Sequence, residues 1–150
     1  MESFHNHFHP ETAQAAVDVL EQAGCRVFVP MQPLCCGRPL YDYGMLDMGK
    51  RQLQEILDTL RPEIRAGVPI VGLEPSCVAV FRDELVNLFP NDMDARRLSQ
   101  QTYMLSEFLM QRIDGYQPPR LEAQALVHGH CHHKSIMKLD AERQLLDKMG

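Results

Sequence analysis

A chain of 150 residues with 45% hydrophobic and 23% charged side chains is long enough to bury a single core and too apolar to remain disordered. Its net charge of -5, without a basic stripe, excludes nucleic acid as a partner. The longest apolar runs, such as Pro69 to Leu73, are far too short to span a bilayer. The opening Met1-Glu2-Ser3-Phe4-His5 has neither the charged nor the apolar region of an export signal, so a cytoplasmic location is expected.

In chain order, Pro10 to Ala23 reads as a helix with Ala13, Ala16, Val17 and Leu20 on one face and Gly24 as its stop. Val27 to Pro30 reads as a short buried strand, leaving through a loop over Met31 to Gly44. A helix is predicted from Met45 to Arg65, with Leu53, Ile56, Leu57, Leu60 and Ile64 at helical spacing and Pro62 as a kink or interruption. Ile70 to Leu73 is the next strand, and Ser76 is the expected cap of a helix running through Phe81, Leu85 and Leu88. After the break at Pro90-Asn91-Asp92, a longer helix places Leu98, Thr102, Leu105 and Leu109 on one face. A loop at Gly115 to Pro119, a third strand at Ala125 to His128 and a helix from Lys134 to Met149 complete the pattern. Alternating helices and continuously apolar strands predict an α/β fold, a mostly parallel sheet with helices on both faces. The chain starts where a strand would finish and stops where another would begin. Residues 1–150 are therefore expected to be one domain excised from a larger protein, truncated at both ends.

Five cysteines, an odd number with two adjacent, favour reduced thiols and metal or redox chemistry over a disulfide framework. In a parallel sheet the loops leaving the strands gather on one edge. The predicted strands exit into Cys35-Cys36-Gly37-Arg38-Pro39, into Glu74-Pro75-Ser76-Cys77 and into His128-Gly129-His130-Cys131-His132. Cys35, Cys36, Cys77 and Cys131 are thus expected at the functional edge and Cys25 at the opposite one, as a small buried hydrophobe. Thiolates are soft ligands for iron–sulfur clusters or zinc, Gly37 leaves room beside the paired sulfurs, and Cys77 lies near a helix N-terminus, which favours a thiolate. The Cys35, Cys36 and Cys77 sulfurs are expected about 4–7 Å apart, close enough to share one metal or cluster. Histidines alternate at His5, His7 and His9 and again at His128, His130 and His132. Each is an ordinary polar loop residue taken singly, but together they make metal binding plausible. A Gly-rich dinucleotide turn is absent, so no flavin site is expected in this chain.

These motifs resemble the cysteine-rich, or CCG, domain of heterodisulfide reductases, of the iron–sulfur subunits of glycolate oxidase and anaerobic glycerol-3-phosphate dehydrogenase, and of lactate-utilisation proteins. Arg38 to Asp47 and Phe81-Arg82-Asp83-Glu84-Leu85 are most similar to the C-terminal iron–sulfur region of FAD-linked oxidases of 2-hydroxy acids such as D-lactate. The resemblance implies the first CCG repeat of a two-repeat domain plus the start of the second. It implies an iron–sulfur cluster, of the [4Fe–4S] kind, held by Cys35, Cys36, Cys77 and Cys131 with Gly37, Arg38, Pro39, Glu74 and Pro75 in support. It further implies electron transfer from FAD in the parent oxidoreductase to an acceptor such as quinone, with no catalytic residue in this chain. The partners would be an FAD-binding domain or subunit and a downstream acceptor, through which the protein could sit at the inner face of the membrane. Three departures from the family pattern, namely Ser3 where a cysteine is expected, Val80 in place of a cysteine, and no second CCG, predict that residues 1–150 fold but hold no intact cluster and show no dehydrogenase turnover. The alternative is a zinc-binding interaction module without redox activity, using Cys35, Cys36, Cys77, His130 and His132, or zinc taken up by the empty site.

Overall fold

The computed structural model describes residue 5 and residues 7–150. The described elements are α1 (Pro10–Gln22), α2 (Arg38–Asp42), α3 (Leu46–Thr59), α4 (Arg61–Arg65), β1 (Ile70–Gly72), α5 (Pro75–Arg82), α6 (Glu84–Leu88), α7 (Met93–Gln101), β2 (Thr102–Met104), α8 (Leu105–Arg112), a π-helical turn (His133–Met137) and α9 (Asp140–Met149). The strands β1 and β2 are parallel and in register, Ile70 opposite Thr102, Val71 opposite Tyr103 and Gly72 opposite Met104.

Side chains alternate across a strand, and both faces of this small sheet are covered. Ile70 packs on the main core, built from Leu53, Ile56 and Leu57 of α3, Leu60, Ile64 of α4, Val80 of α5, Leu85 of α6 and Leu98 of α7. Val71 and Tyr103 face the other way, onto Leu20 of α1 and Phe108 and Leu109 of α8, with Leu145 of α9 against the same cluster. The fold is α/β, with helices around a parallel sheet.

Several local expectations need correction. The segment 27–30 forms no strand: Val27 packs beside Leu20 and Phe108, but Phe28 is 65% exposed and no strand among the described residues takes up its backbone groups. The segment 125–128 is not a strand either, with Leu126 fully exposed. The second strand instead interrupts the helix expected through Leu98 and Leu109. Thr102 and Tyr103 are good strand residues, and the Thr102 hydroxyl donates to the Leu98 carbonyl at 2.6 Å, satisfying an acceptor at the end of α7. The helix expected over 45–65 breaks at Leu60, with Pro62 in the first turn of α4 where its missing N–H costs nothing. The helix expected from Ser76 to Leu88 breaks at Asp83, and the one expected over 134–149 breaks at Lys138, whose φ is +67°. Glu74, rather than Ser76, caps α5: its carboxylate accepts from the Ser76 amide at 3.2 Å and hydroxyl at 2.9 Å.

Arg82, at the other end of α5, fixes that helix to the sheet. Its guanidinium donates to the Thr102 carbonyl at 2.8 and 3.2 Å and to the Glu107 carboxylate at 2.6 and 3.0 Å. Glu107 in turn accepts from the Met104 amide at 2.8 Å. This network places the first turn of α5, and with it Cys77, at the C-terminal end of β1.

Candidate functional site

Two turns meet beyond the end of β1. In the first, Cys35 and Cys36 precede Gly37, which has φ of +77° and ψ of 15° and starts α2. A side chain here would be strained by the backbone and would also place its Cβ 2.7 Å from Gln52 Oε1, so the turn requires glycine. Gln52 Oε1 is itself buried without a hydrogen-bond partner. The Tyr41 hydroxyl lies 3.2 Å from both the Cys36 and the Gly49 carbonyls, tying the cysteine turn to α3. Burial, together with the Cys36 and Glu84 charges, pushes the Tyr41 phenol above its ordinary pKa.

The second turn is Glu74-Pro75-Ser76-Cys77. Its sulfur meets the first turn directly: the Cys36 thiol donates to Cys77 Sγ at 2.8 Å across 41 positions of sequence. The pair is thus closer than the spacing expected for sulfurs sharing one metal. Cys36 is 4% exposed and belongs to the main core, and Cys77 packs partly buried against it. Cys35 stays half-buried beside its neighbour. The Cys35 hydrogen bond draws the Cys36 thiol down, but the Cys77 hydrogen bond, burial and the Cys77 charge outweigh it and push the Cys36 pKa up to about 12. Crowded thiolates repel each other in a place with little solvent, and a bound cation reverses that preference.

The remaining sequence candidates lie elsewhere. Cys25 packs with Val27, Phe108 and Leu109, in a different cluster from Cys36 and Cys77. Cys131 is exposed and leads into the π-helical turn, whose Met137 packs on Val78 and Ala79 of α5. The His130 and His132 rings stack, centroids 5.1 Å apart at 21°, and the His132 amide donates to His130 Nδ1 at 3.2 Å. At the other end, His9 Nδ1 sits 3.0 Å from Glu11 Oε1, while Ser3 lies outside the described residues.

Soft sulfurs are the donors that an iron–sulfur cluster or zinc takes, so the Cys36–Cys77 pair with Cys35 beside it fits such a group in kind. The pair is not a closed ligand set: among the described residues no group of three or more His, Cys, Asp or Glu side chains is placed to hold a metal ion. Sequence reading found the cysteines but not Tyr41 or Glu84, which lie in the immediate surroundings. Glu84 meets Arg38 from 46 positions away, a pairing without a local sequence signal.

The family model of the CCG cysteine-rich domain matches residues 3–82, more than half of the chain. The chain is also similar to lactate utilization protein A of Halalkalibacterium halodurans, with 31% identity over 148 residues covering 95% of this chain and 59% of that protein. It is 29% identical over 145 residues to the protein of the same name from Anoxybacillus flavithermus, covering 93% and 59%, and 28% identical over 141 residues to that of Bacillus subtilis, covering 90% and 57%. The chain thus spans less than two thirds of the length of these relatives. No solved structure matches it significantly. The match takes in both turns whose sulfurs meet at 2.8 Å, and the chain belongs to the CCG cysteine-rich domain family.

Proposed function

We propose that this chain is an iron–sulfur electron-transfer domain of an FAD-linked oxidoreductase acting on a 2-hydroxy acid of the lactate type. The observation that carries the reading is the meeting of Cys36 and Cys77, 2.8 Å apart, from turns that share no local structure. The names of the curated relatives, lactate utilization protein A, favour the substrate class. In this reading residues 1–150 form the first CCG repeat and the start of the second. Cys35, Cys36 and Cys77 supply sulfur ligands to a cluster of the [4Fe–4S] kind, and Cys131, exposed and apart from the pair in this chain, a further one in the parent protein. Its partners are an FAD-binding domain or subunit and an acceptor such as quinone.

A cluster held there would supply one-electron acceptance and release. The chain's own residues provide the setting for it. The main core buries the Cys36 side of the site and keeps water from it. Gly37 permits the left-handed turn that follows the paired cysteines against Gln52, and Tyr41 holds the cysteine turn on α3. Arg82 and Glu107 keep α5, and so Cys77, fixed on the sheet. No helix among the described residues is long and apolar enough to cross a membrane, so any quinone would be reached through a partner.

The test is anaerobic reconstitution with ferrous iron and sulfide, followed by visible circular dichroism, which reports cluster in a protein environment and is blind to colloidal iron sulfide. The expected result is a visible signal that disappears in C36S and in C77S. Zinc uptake without any visible signal, or an undiminished signal in both variants, would overturn the proposal, the former in favour of the zinc-binding module.

A further inference from the structure

The contact between the two thiols is too weak to hold their turns together, because S–H is a poor donor and sulfur a poor acceptor. A stronger connection runs beside it. Arg38 follows Cys36 by two positions, at the start of α2. Its guanidinium reaches across to the second turn, donating from Nε at 3.4 Å and Nη2 at 3.3 Å to the carbonyl of Ser76, the residue before Cys77. The third nitrogen, Nη1, donates to Glu84 Oε1 at 2.5 Å. The Arg38 side chain is only 12% exposed and lies over the Tyr41 ring, 5.9 Å from its centroid. The planar fork serves a carbonyl on one edge and a carboxylate on another, which a lysine ammonium cannot do in a fixed geometry.

We infer that Arg38 is the positioning residue of the thiol pair, clamping the Cys36 turn to the Cys77 turn, with Glu84 holding the guanidinium in the pose that reaches Ser76. The inference deepens the iron–sulfur reading and rests on Cys36 and Cys77 acting together, yet it needs no bound cluster to be tested. Glu84 is the lesser member, because Asp42 lies 3.8 Å from Nη1 and offers a second carboxylate.

The experiment uses the metal-free chain with Cys25, Cys35 and Cys131 replaced by serine, equilibrated with mixtures of reduced and oxidised dithiothreitol. Closure is a thiol–disulfide exchange: the two protein thiols become a Cys36–Cys77 disulfide, the cyclic reagent is reduced, and its sulfurs take both protons. Peptide mass spectrometry reads the closed fraction and gives the equilibrium constant. R38Q and R38K are each expected to lower that constant about tenfold, through loss of charge-assisted hydrogen bonds. E84Q is expected to lower it about threefold, since it removes one ion pair of the clamp. D94N, which breaks the ion pairs of Asp94 with Arg61, Arg65 and Arg97 and touches none of the clamp's partners, is expected to lower thermal stability and leave the constant unchanged. A parent pair that does not close, an R38Q constant equal to the parent's, or a fall in D94N as large as that in R38Q overturns the assignment. A tenfold effect of R38Q, where the chain with all five cysteines takes up zinc and gives no visible cluster signal on reconstitution, leaves the clamp standing and sinks the iron–sulfur reading, while a cluster signal in that chain with an unaffected R38Q constant sinks the clamp alone.

Discussion

The five cysteines differ in what surrounds them, and the differences have chemical consequences. Cys36 is 4% exposed, Cys25, Cys35 and Cys77 are half-buried, and Cys131 is exposed. Alkylation needs an accessible thiolate, so iodoacetamide on the native metal-free chain should modify Cys131 first and Cys36 last. In urea all five should react at similar rates, and a native Cys36 that reacts as fast as Cys131 would refute its place in the core. Gly37 carries a second residue-scale prediction. G37A forces an alanine into the left-handed region, at a cost of about 1–2 kcal/mol, and sets its Cβ against Gln52 Oε1. Urea unfolding should show a loss of at least that size, while G44A, where an added Cβ meets nothing within 4 Å, should show the backbone part alone. Sequence reading took Gly37 as room beside the paired sulfurs, whereas its left-handed backbone and the residue that crowds it carried no sequence signal. Gln52 lies on a helix face that periodicity marks only as partly buried.

At the scale of elements, periodicity located the helical faces and misjudged their continuity. Leu53, Ile56, Leu57 and Ile64 fall on the core as their spacing requires, but the chain turns at Leu60, where Pro62 can start a new helix and not continue the old one. Thr102 and Leu105 fit a helical face equally well, and only pairing with β1 makes Thr102–Met104 a strand. The short α4 and α7 share the main core through Ile64, Ala95 and Leu98, and ion pairs join them besides. Asp94 is buried at the start of α7 and receives Arg61 at 2.8 Å, Arg65 at 2.9 Å and Arg97 at 3.0 Å. The Arg65 hydrogen bond, with support from Arg97 and Arg61, holds its carboxyl below the ordinary value against the opposing effect of burial. A carboxyl with a depressed folded-state pKa adds stability that is complete above its unfolded value, near 3.9, and is lost as pH falls through the folded value. Urea midpoints of the wild type should therefore drop more steeply below about pH 4 than those of D94N, with the two curves converging in acid. Parallel curves across that range would show that Asp94 does not titrate with folding.

Taken whole, the molecule buries both faces of its sheet while leaving Phe28, Val29, Leu126 and Val127 exposed along the segments expected as strands. The fold class could be read from the sequence because alternating apolar patterns report layers. The strand count could not, because an extended segment becomes a strand only when a neighbour takes up its backbone groups. The same distinction governs the site. Cysteine types and spacing indicated a thiolate centre, and the described side chains bring Cys36 and Cys77 together without closing a set of three or more ligands. Iron–sulfur clusters are held by several thiolates at once, and a cluster gripped by an incomplete set exchanges its iron with solvent. Residues 1–150 are therefore expected to show cluster during reconstitution but to retain well under one per chain after anaerobic desalting, measured as protein-bound iron and acid-labile sulfide. They should show no lactate dehydrogenase turnover with an artificial electron acceptor. Stoichiometric iron and sulfide that survive desalting would mean that Cys131, or Cys25 leaving its cluster with Phe108 and Leu109, swings in to complete the set, and C131S and C25S would then identify which.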